Sequence, residues 1–333
     1  MTSHSARADS AGIAGSARAL AERRPLGDRV FQALALVAGL LVLAILVLIL
    51  VSTTQQSTTW FGKEGITGIF STTWDPAHNK FGALTFIYGT AITAVIAVIL
   101  AVPVSVAIAL LLTEVVPYRW ARPIVYVIDL LAVVPSVVWG LWGVQVFAPW
   151  VLPHVYAPVA RALKGVPVLG NVFGPSTSGA PSGPAFFTAG LILAFMITPI
   201  VTSLSREVIA TVPTIDKEGA YALGATRLEM IRGVVWPHSQ GGIVGAVLLG
   251  LGRAMGETIA AALVIGSSTQ ITSHLLSPGY SMPAVIANQF GEAFGEFRSA
   301  LLGIGVLLFL LTIIVNVLAR AVVARNVQRT RGA

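Results

Sequence analysis

The chain has 333 residues, of which 55% are hydrophobic and 11% charged, and its mean hydropathy is +0.83. A water-soluble fold could not bury that much apolar surface, so composition excludes a soluble globular protein. The formal net charge of +7 is not accompanied by a basic stripe with interleaved aromatic residues, which argues against nucleic-acid binding. Because the chain has no Cys, disulfides and thiolate metal sites are excluded.

Apolar segments dominate the chain beyond an Ala/Ser/Arg-rich start, for which we expect a disordered tail over 1–25. Unbroken apolar stretches that can cross about 30 Å of hydrocarbon predict about six transmembrane helices, and so an all-α polytopic membrane protein. We expect one transmembrane domain over 26–325 and a basic tail over 326–333. The predicted helices are 30–51, 83–112, 123–147, 185–204, 239–266 and 300–319.

The distribution of positive charge predicts the orientation. Most Lys and Arg residues fall in the two tails and in the second and fourth loops, whereas the opposite loops hold only Lys63, Lys80, Arg161, Lys164 and Arg298. Since positive side chains are retained on the cytoplasmic face, both termini are predicted to lie in the cytoplasm. The outer loops 52–82 and 149–184 either contact a soluble partner or are plain connectors, and the sequence does not decide between these.

The third predicted helix carries two polar residues of interest. Asp129 lies about 10 Å from its cytoplasmic end, and we interpret it as a structural acid paired with a loop cation. Ser136 either lines a translocation path or is a helix-packing hydroxyl. No cluster of His, Asp or Glu indicates a metal site.

The loop 206–238 has the signals of two short helices. Gly224 predicts the end of the first, since Gly accepts the left-handed conformation that follows a helix. Thr226 and Glu229 form the pattern of a capping box, which predicts the start of the second helix. We expect Pro237 to end it.

The fifth predicted helix contains an Arg and a Glu four residues apart. Arg253 falls near its middle, where an ionised side chain costs at least about 2.5–3.5 kcal/mol unless it is compensated. Glu257 follows one turn later, so the two are predicted to pair. Either the pair is structural, or Arg253 lines a path and binds a tetrahedral oxyanion while Glu257 holds it in the anion's absence. Thr258 either lines the path or is a helix-packing hydroxyl. The spacing of Gly241, Gly245, Gly252 and Gly256 favours close packing of a neighbouring helix over direct ligand contact.

Two motifs resemble a known family. Glu218-Gly219-Ala220, three residues, Gly224, nine residues and Val234-Val235-Trp236-Pro237 resemble the EAA motif of MetI-like ABC importer permeases, with Gly219 in place of the usual Ala. An ordinary amphipathic loop helix would explain the caps but not this spacing. The run from Gly250 to Thr258, and the run from Val134 to Gly143, resemble the C-type membrane subunit of the phosphate-specific branch.

The resemblance implies a function and partners. It implies one half of a translocation pathway for inorganic phosphate in the bacterial plasma membrane, paired with a homologous A-type permease subunit. It further implies two cytoplasmic ATPase subunits and an extracytoplasmic phosphate-binding protein. The residues that it implies for ATPase coupling are Glu218, Gly219, Ala220, Gly224, Thr226, Glu229 and Pro237.

The sequence lacks the Gly-x-x-x-x-Gly-Lys-Ser/Thr phosphate loop, since its one Gly-Lys pair, Gly62-Lys63, is followed by Glu64. We therefore expect a non-enzymatic subunit that binds no cofactor, with ATP used by a partner. Two alternatives remain. One is the permease of another oxyanion, sulfate or molybdate. The other is an unrelated class: a secondary transporter, which would need its own coupling-ion site and has no use for a docking helix, or a polytopic membrane enzyme, which would need a cluster of His, Asp or Glu that the sequence does not show.

Overall fold

The computed structural model describes residues 26–174 and 181–331, with side chains for 27–174 and 181–321. The predicted tail 1–25 lies outside the described residues, as do the last two residues of the predicted tail 326–333. The chain divides into two compact units, Met1–Gln55 and Gln56–Ala333, and the single transmembrane domain over 26–325 stays a prediction.

The described part of the first unit is helix α1, which runs Leu26–Gln56 and so reaches one residue beyond that unit. The helix is longer at both ends than the predicted 30–51. The hydroxyls of Thr53 and Thr54 donate to backbone carbonyls one turn earlier, at 2.6 and 2.7 Å. Because these hydroxyls are satisfied within the helix, polar residues extend it past the apolar run.

The described residues of the second unit are mostly helical, with one antiparallel hairpin of β1 (Trp74–Asp75) and β2 (Lys80–Phe81). Its helices are α2 (Thr58–Phe70), α3 (Leu84–Leu110), α4 (Tyr118–Val133), α5 (Ser136–Trp142), α6 (Ala148–Val151), α7 (Ala157–Ala162), α8 (Leu169–Phe173), α9 (Phe186–Ala210), α10 (Thr214–Ala222), α11 (Arg227–Met230), α12 (Trp236–Gly256), α13 (Ile259–Val264), α14 (Met282–Gln289) and α15 (Gly295–Arg331). Four π-helical turns occur among them, at Leu111–Val115, Gly143–Phe147, Leu152–Tyr156 and Ile231–Val235, and two 3-10 turns, at Pro76–His78 and Phe290–Glu292.

Six described helical segments are long and apolar enough to cross a membrane, as the sequence predicted. The spans are Gly27–Gln56, Leu84–Val115, Ser136–Ala162, Phe186–Ala210, Arg227–Gly256 and Gly295–Ala321. The prediction of an all-α polytopic membrane protein is thus confirmed. The third and fifth spans differ from the predicted bounds.

The predicted third helix, 123–147, is interrupted. Helix α4 ends at Val133, Val134 takes an extended conformation (ψ 124°), and α5 begins after Pro135. The physical reason is that a proline ring disfavours the helical region for the residue before it and removes a helix donor. The span that is long enough to cross the membrane therefore starts at Ser136.

The predicted fifth helix, 239–266, is also wrong at both ends. The helical path starts at Arg227 and ends at Gly256, because Glu257 is extended (φ −69°, ψ 123°). Helix α13 then forms a separate short segment. The predicted span had merged two helices across this break.

The core of the second unit lies where α3 and α9 pack along each other. Phe86, Phe186 and Ile192 are fully buried there. At Gly190 an added Cβ would lie 2.5 Å from Ile96 Cγ2, so the absence of a side chain permits this close approach.

Contacts between distant residues sort the loops of the second unit into two ends. At the hairpin end, Trp60 Nε1 donates to the Phe81 carbonyl at 2.9 Å, and Lys63 pairs with Glu296 at 2.6 Å. At the other, the α10 end, the loop after α3 contacts α10. Helices that cross a membrane in alternating directions require their connecting loops to lie at two opposite ends in this way.

Candidate functional site

Helix α10 ends as its sequence predicted. Gly224 has φ +85°, the left-handed region that favours glycine. The Gly224 amide donates to the Tyr221 carbonyl at 2.9 Å, and the Ala225 amide donates to the Ala220 carbonyl at 3.1 Å. These two bonds form a Schellman motif, which satisfies carbonyls at the helix end.

The predicted capping box is present at the start of α11. The Glu229 amide donates to Thr226 Oγ1 at 3.4 Å, and the Thr226 amide donates to Glu229 Oε2 at 2.7 Å. Two backbone donors at the helix start are therefore satisfied reciprocally. The box fixes where the chain turns back toward the membrane span.

Pro237 does not end the second helix, contrary to the prediction. Helix α11 continues through the π-helical turn Ile231–Val235 into α12, which carries Pro237 in its first turn. The Trp236 amide donates to the Ile231 carbonyl, a bond that spans five residues. The wider turn accommodates a proline ring that would otherwise clash with a carbonyl one turn earlier. Segment 214–235 is thus joined to the span without a flexible linker.

The segment of α10 and α11 exposes apolar side chains. Leu223 is 91% exposed, and Ile215, Tyr221 and Leu228 are exposed too. Met230, by contrast, is buried against the end of the unit. We call the four exposed residues the α10–α11 apolar surface. An exposed apolar cluster on a projecting segment is typical of a surface that binds another protein.

An ion pair anchors α10, and sequence reasoning missed it. Lys217 Nζ lies 2.6 Å from Glu114 Oε1, with side-chain exposures of 18% and 6%. Glu114 lies in the π-helical turn that follows α3. The residues are separated by 103 positions, so no local pattern indicated the pair. Its only signal was that the second and fourth spans end on the same side.

The predicted pair of Arg253 and Glu257 is wrong. Arg253 lies in the last turn of α12, not at mid-span, and Glu257 lies beyond the helix end. Glu257 Oε1 instead accepts a hydrogen bond from the Ala260 amide at 3.5 Å, at the start of α13. The i, i+4 relationship holds only along a continuous helix, and the extended conformation of Glu257 breaks it. Arg253 is exposed, and no described carboxylate lies within 4.0 Å of its guanidinium.

The four glycines predicted to pack on a neighbouring helix face open space within the described chain. An added Cβ would meet no atom within 4 Å at any of Gly241, Gly245, Gly252 and Gly256, which we call the open glycine face. Other glycines of α12 make the close packing. An added Cβ at Gly250 would lie 2.7 Å from Val201 Cγ2, on α9.

The remaining predicted polar residues lie apart from one another. Asp129 Oδ1 accepts a hydrogen bond from the Ser203 hydroxyl at 3.2 Å, and none of the described Lys or Arg side chains lies within 4.0 Å of it as the predicted loop cation would. Thr258 donates to the Gly256 carbonyl at 3.2 Å. Ser136 lies in the first turn of α5. Within residues 26–174 and 181–331, no three His, Cys, Asp or Glu residues converge as a metal site would require.

Comparison with known proteins gives concordant matches. A family model described as "Binding-protein-dependent transport system inner membrane component" matches residues 87–331. The chain is 44% identical over 285 residues to "Phosphate transport system permease protein PstC" of Xylella fastidiosa (strain Temecula1 / ATCC 700964), which covers 84% of this chain and 86% of that protein. It is 42% identical over 305 residues to the protein of the same name in Haemophilus influenzae, covering 92% and 95%.

The fold is similar to that of solved transporters. A chain in the crystal structure of a bacterial alginate ABC transporter, in complex with an alginate pentasaccharide-bound periplasmic protein, matches with a TM-score of 0.58 at 14% identity. The match covers 91% of this chain and 98% of that one. At that identity the likeness concerns the fold alone.

Proposed function

Since the chain belongs to the family of binding-protein-dependent transport system inner membrane components, we propose that it is a membrane subunit of an ATP-driven importer of inorganic phosphate. The names of its relatives support phosphate as the substrate. The structural observation that carries the proposal is the continuous helix from α11 to α12. It joins an exposed apolar surface at one end to an exposed Arg at the other.

The α10–α11 apolar surface is proposed to dock on a cytoplasmic ATPase subunit. Glu218 and Gly219 are exposed beside this surface, whereas Ala220 is partly buried against the unit. The Schellman motif and the capping box fix the shape of the docking segment. ATP hydrolysis belongs to the partner, and this subunit converts the partner's movement into movement of α12.

The open glycine face is proposed to meet a second, homologous permease subunit. Its glycines leave a shallow surface on which another helix can approach closely. Arg253 lies at the edge of this face and is exposed, so it would line a path between the two subunits. Its planar guanidinium matches the geometry of a phosphate oxyanion. Because no carboxylate among the described residues lies within 4.0 Å of it, Arg253 is available to the anion directly.

The orientation follows from the charge distribution. With both termini in the cytoplasm, the α10 end faces the ATPase subunits, since it holds the second and fourth loops and their cations. The hairpin end then faces the extracytoplasmic binding protein. An importer of sulfate or molybdate is the alternative, and it would share this architecture.

Labelled phosphate uptake in a strain that lacks its own phosphate importer tests the proposal. We expect uptake when this chain is supplied with its partner subunits, and no competition by excess sulfate or molybdate. Arg253→Gln should lower uptake by about tenfold or more, since a charge-assisted hydrogen bond contributes about 1.5–3 kcal/mol. Arg253→Lys should retain part of it, because the charge remains.

Arg298→Gln is the matched control, because Arg298 is exposed and packs over the Phe290 ring at the hairpin end. It should transport normally. Unchanged uptake by an assembled Arg253→Gln complex would contradict the role of Arg253. Competition by sulfate that equals competition by phosphate would contradict the substrate.

A further inference from the structure

A cleft of about 530 Å³ lies at the α10 end, between α4 and the ends of α3 and α9. Its volume falls within the range of small-ligand sites, about 300–1,000 Å³. Neither the docking surface nor the open glycine face contributes to it. The charged residues that line it are Glu114, Arg122, Arg206 and Lys217.

The charges of this cleft are unbalanced. Lys217 and Glu114 neutralise each other in their ion pair. Arg122 Nε donates to the Tyr126 hydroxyl at 3.3 Å, and no carboxylate of the described residues lies within 4.0 Å of its guanidinium. Arg206 is partly buried, and no carboxylate of the described residues lies within 4.0 Å of it. Two guanidinium groups therefore give the cleft an excess positive charge, which an anion would compensate.

One wall of the cleft continues into an exposed apolar surface. Helix α4 supplies Ala121, Val125 and Tyr126 to the lining, and Leu130, which follows Tyr126 by one turn on the same side of the helix, is 71% exposed. Tyr118 stands at the mouth, 78% exposed, at the start of the helix. Aromatic residues at the end of an apolar helix are typical of the membrane–water interface. The surroundings thus suit an occupant with an anionic head and an apolar tail.

We propose that this cleft binds the phosphate of an anionic phospholipid headgroup, with the acyl chains lying along α4. Arg122 and Arg206 bind the phosphate oxygens, since a guanidinium offers several donors in a fork that fits them. The acyl chains cover the apolar side of α4. Because Lys217 lines the same cleft, the bound lipid places its negative charge beside the helix that carries the docking surface. Inorganic phosphate has the same oxygens but no tail, so experiment can separate the two.

Native mass spectrometry of the full-length chain, isolated in mild detergent, tests the proposal. The probes are phosphatidylglycerol, phosphatidylcholine and inorganic phosphate, each titrated separately. We expect phosphatidylglycerol to bind with a stoichiometry of one and in clear preference to phosphatidylcholine. Removing both arginines, in Arg122→Gln/Arg206→Gln, should weaken its binding by about 25-fold, at roughly fivefold for each cation.

The matched control is Arg119→Gln/Arg232→Gln, which removes two exposed arginines from the same end but outside the cleft lining. It should leave the bound lipid in place. Arg122→Lys/Arg206→Lys keeps the charges and should retain part of the binding, which guards against misfolding of the glutamine variant. Equal loss in the control variant, equal binding of phosphatidylcholine, or binding of inorganic phosphate without the lipid would overturn the proposal. None of these outcomes depends on whether the chain transports phosphate.

Discussion

Lys217 and Glu114 form a largely buried ion pair that ties α10 to the turn at the end of α3, with 2.6 Å between Nζ and Oε1. Helix α10 carries two residues of the α10–α11 apolar surface, Ile215 and Tyr221, which are exposed, whereas the Lys217 side chain is mostly buried. One short helix is therefore held to the core while it presents its apolar residues outward. The ion pair therefore fixes the position of α10 relative to the core.

Removing one partner of this pair should destabilise the chain. Lys217→Met leaves the Glu114 carboxylate buried without a counter-charge, at a cost of about 3 kcal/mol in the free energy of unfolding. Lys217→Met/Glu114→Leu should recover most of that loss, since neither charge remains. Thermal unfolding of the detergent-solubilised chain measures both. Glu218→Gln, at an exposed neighbour, is the control, and a double variant no more stable than the single one would contradict this account.

The α10–α11 apolar surface should be needed for binding the ATPase subunit and not for folding. Leu223→Asp places a charge at a side chain that is 91% exposed, so we expect normal membrane insertion and normal thermal stability. Co-purification of the ATPase subunit should be lost, because a charge would have to be desolvated in an apolar interface. Ile66→Asp alters a similarly exposed apolar residue of α2, on the hairpin side, and should leave association intact. If both variants retained the ATPase, docking would lie elsewhere.

The same substitution should have different effects at two glycines of α12, lowering chain stability at one and subunit association at the other. Gly250→Leu forces a side chain against Val201 and should cost about 1–3 kcal/mol of stability in the chain itself. Gly245→Leu extends into open space, so the isolated chain should be unaffected, whereas association with the second permease subunit should be lost. Thermal unfolding reads the first effect and subunit co-purification the second. Normal assembly of Gly245→Leu would show that the open glycine face is not the subunit interface.

The stability of the fold at the hairpin should depend on pH through the ionisation of Asp75. A hydrogen bond from His78 is the main reason that the pKa of Asp75 lies below its ordinary value of 3.8, and the ring nitrogen lies 2.6 Å from Oδ2. A carboxyl whose pKa is lower in the folded state stabilises the fold above its unfolded pKa, and this contribution is lost as pH falls through the folded value. The difference in Tm between the wild type and Asp75→Asn should therefore be present at pH 6 and shrink below pH 3.8. A difference that stays constant with pH would contradict this.

Local signals in the sequence predicted the local structure well. Gly224 and the pair Thr226 and Glu229 each specify a backbone conformation through their own bonds, so the end of α10 and the start of α11 could be located. The six spans could be predicted because each is a long apolar run. Such features depend only on residues a few positions apart.

Breaks inside apolar runs were harder to predict. Prolines are tolerated in transmembrane helices, so Pro135 alone did not reveal the break after Val133. Glu257 is followed by the apolar α13, and the hydropathy pattern runs across the extended residue without a signal. Because the break at Glu257 was not predicted, Arg253 was wrongly paired with Glu257. The environment of Arg253 depends on the extended backbone conformation of Glu257, which tertiary packing selects.

The π-helical turn Ile231–Val235 sets the angle about the helix axis between α11 and Arg253. The helical path runs from Arg227 to Gly256, so about 39 Å of helix joins the capping box to Arg253. Each residue of an α-helix rotates the chain by about 100° about the axis. The π-helical turn contains one residue more than an α-helical turn, which shifts every later side chain by about that angle. If the π-helical turn became an ordinary α-helical turn, α12 would rotate about its axis and Arg253 would face another side. The direction in which the Arg253 guanidinium points is thus set at the π-helical turn beside Pro237, some six helical turns away.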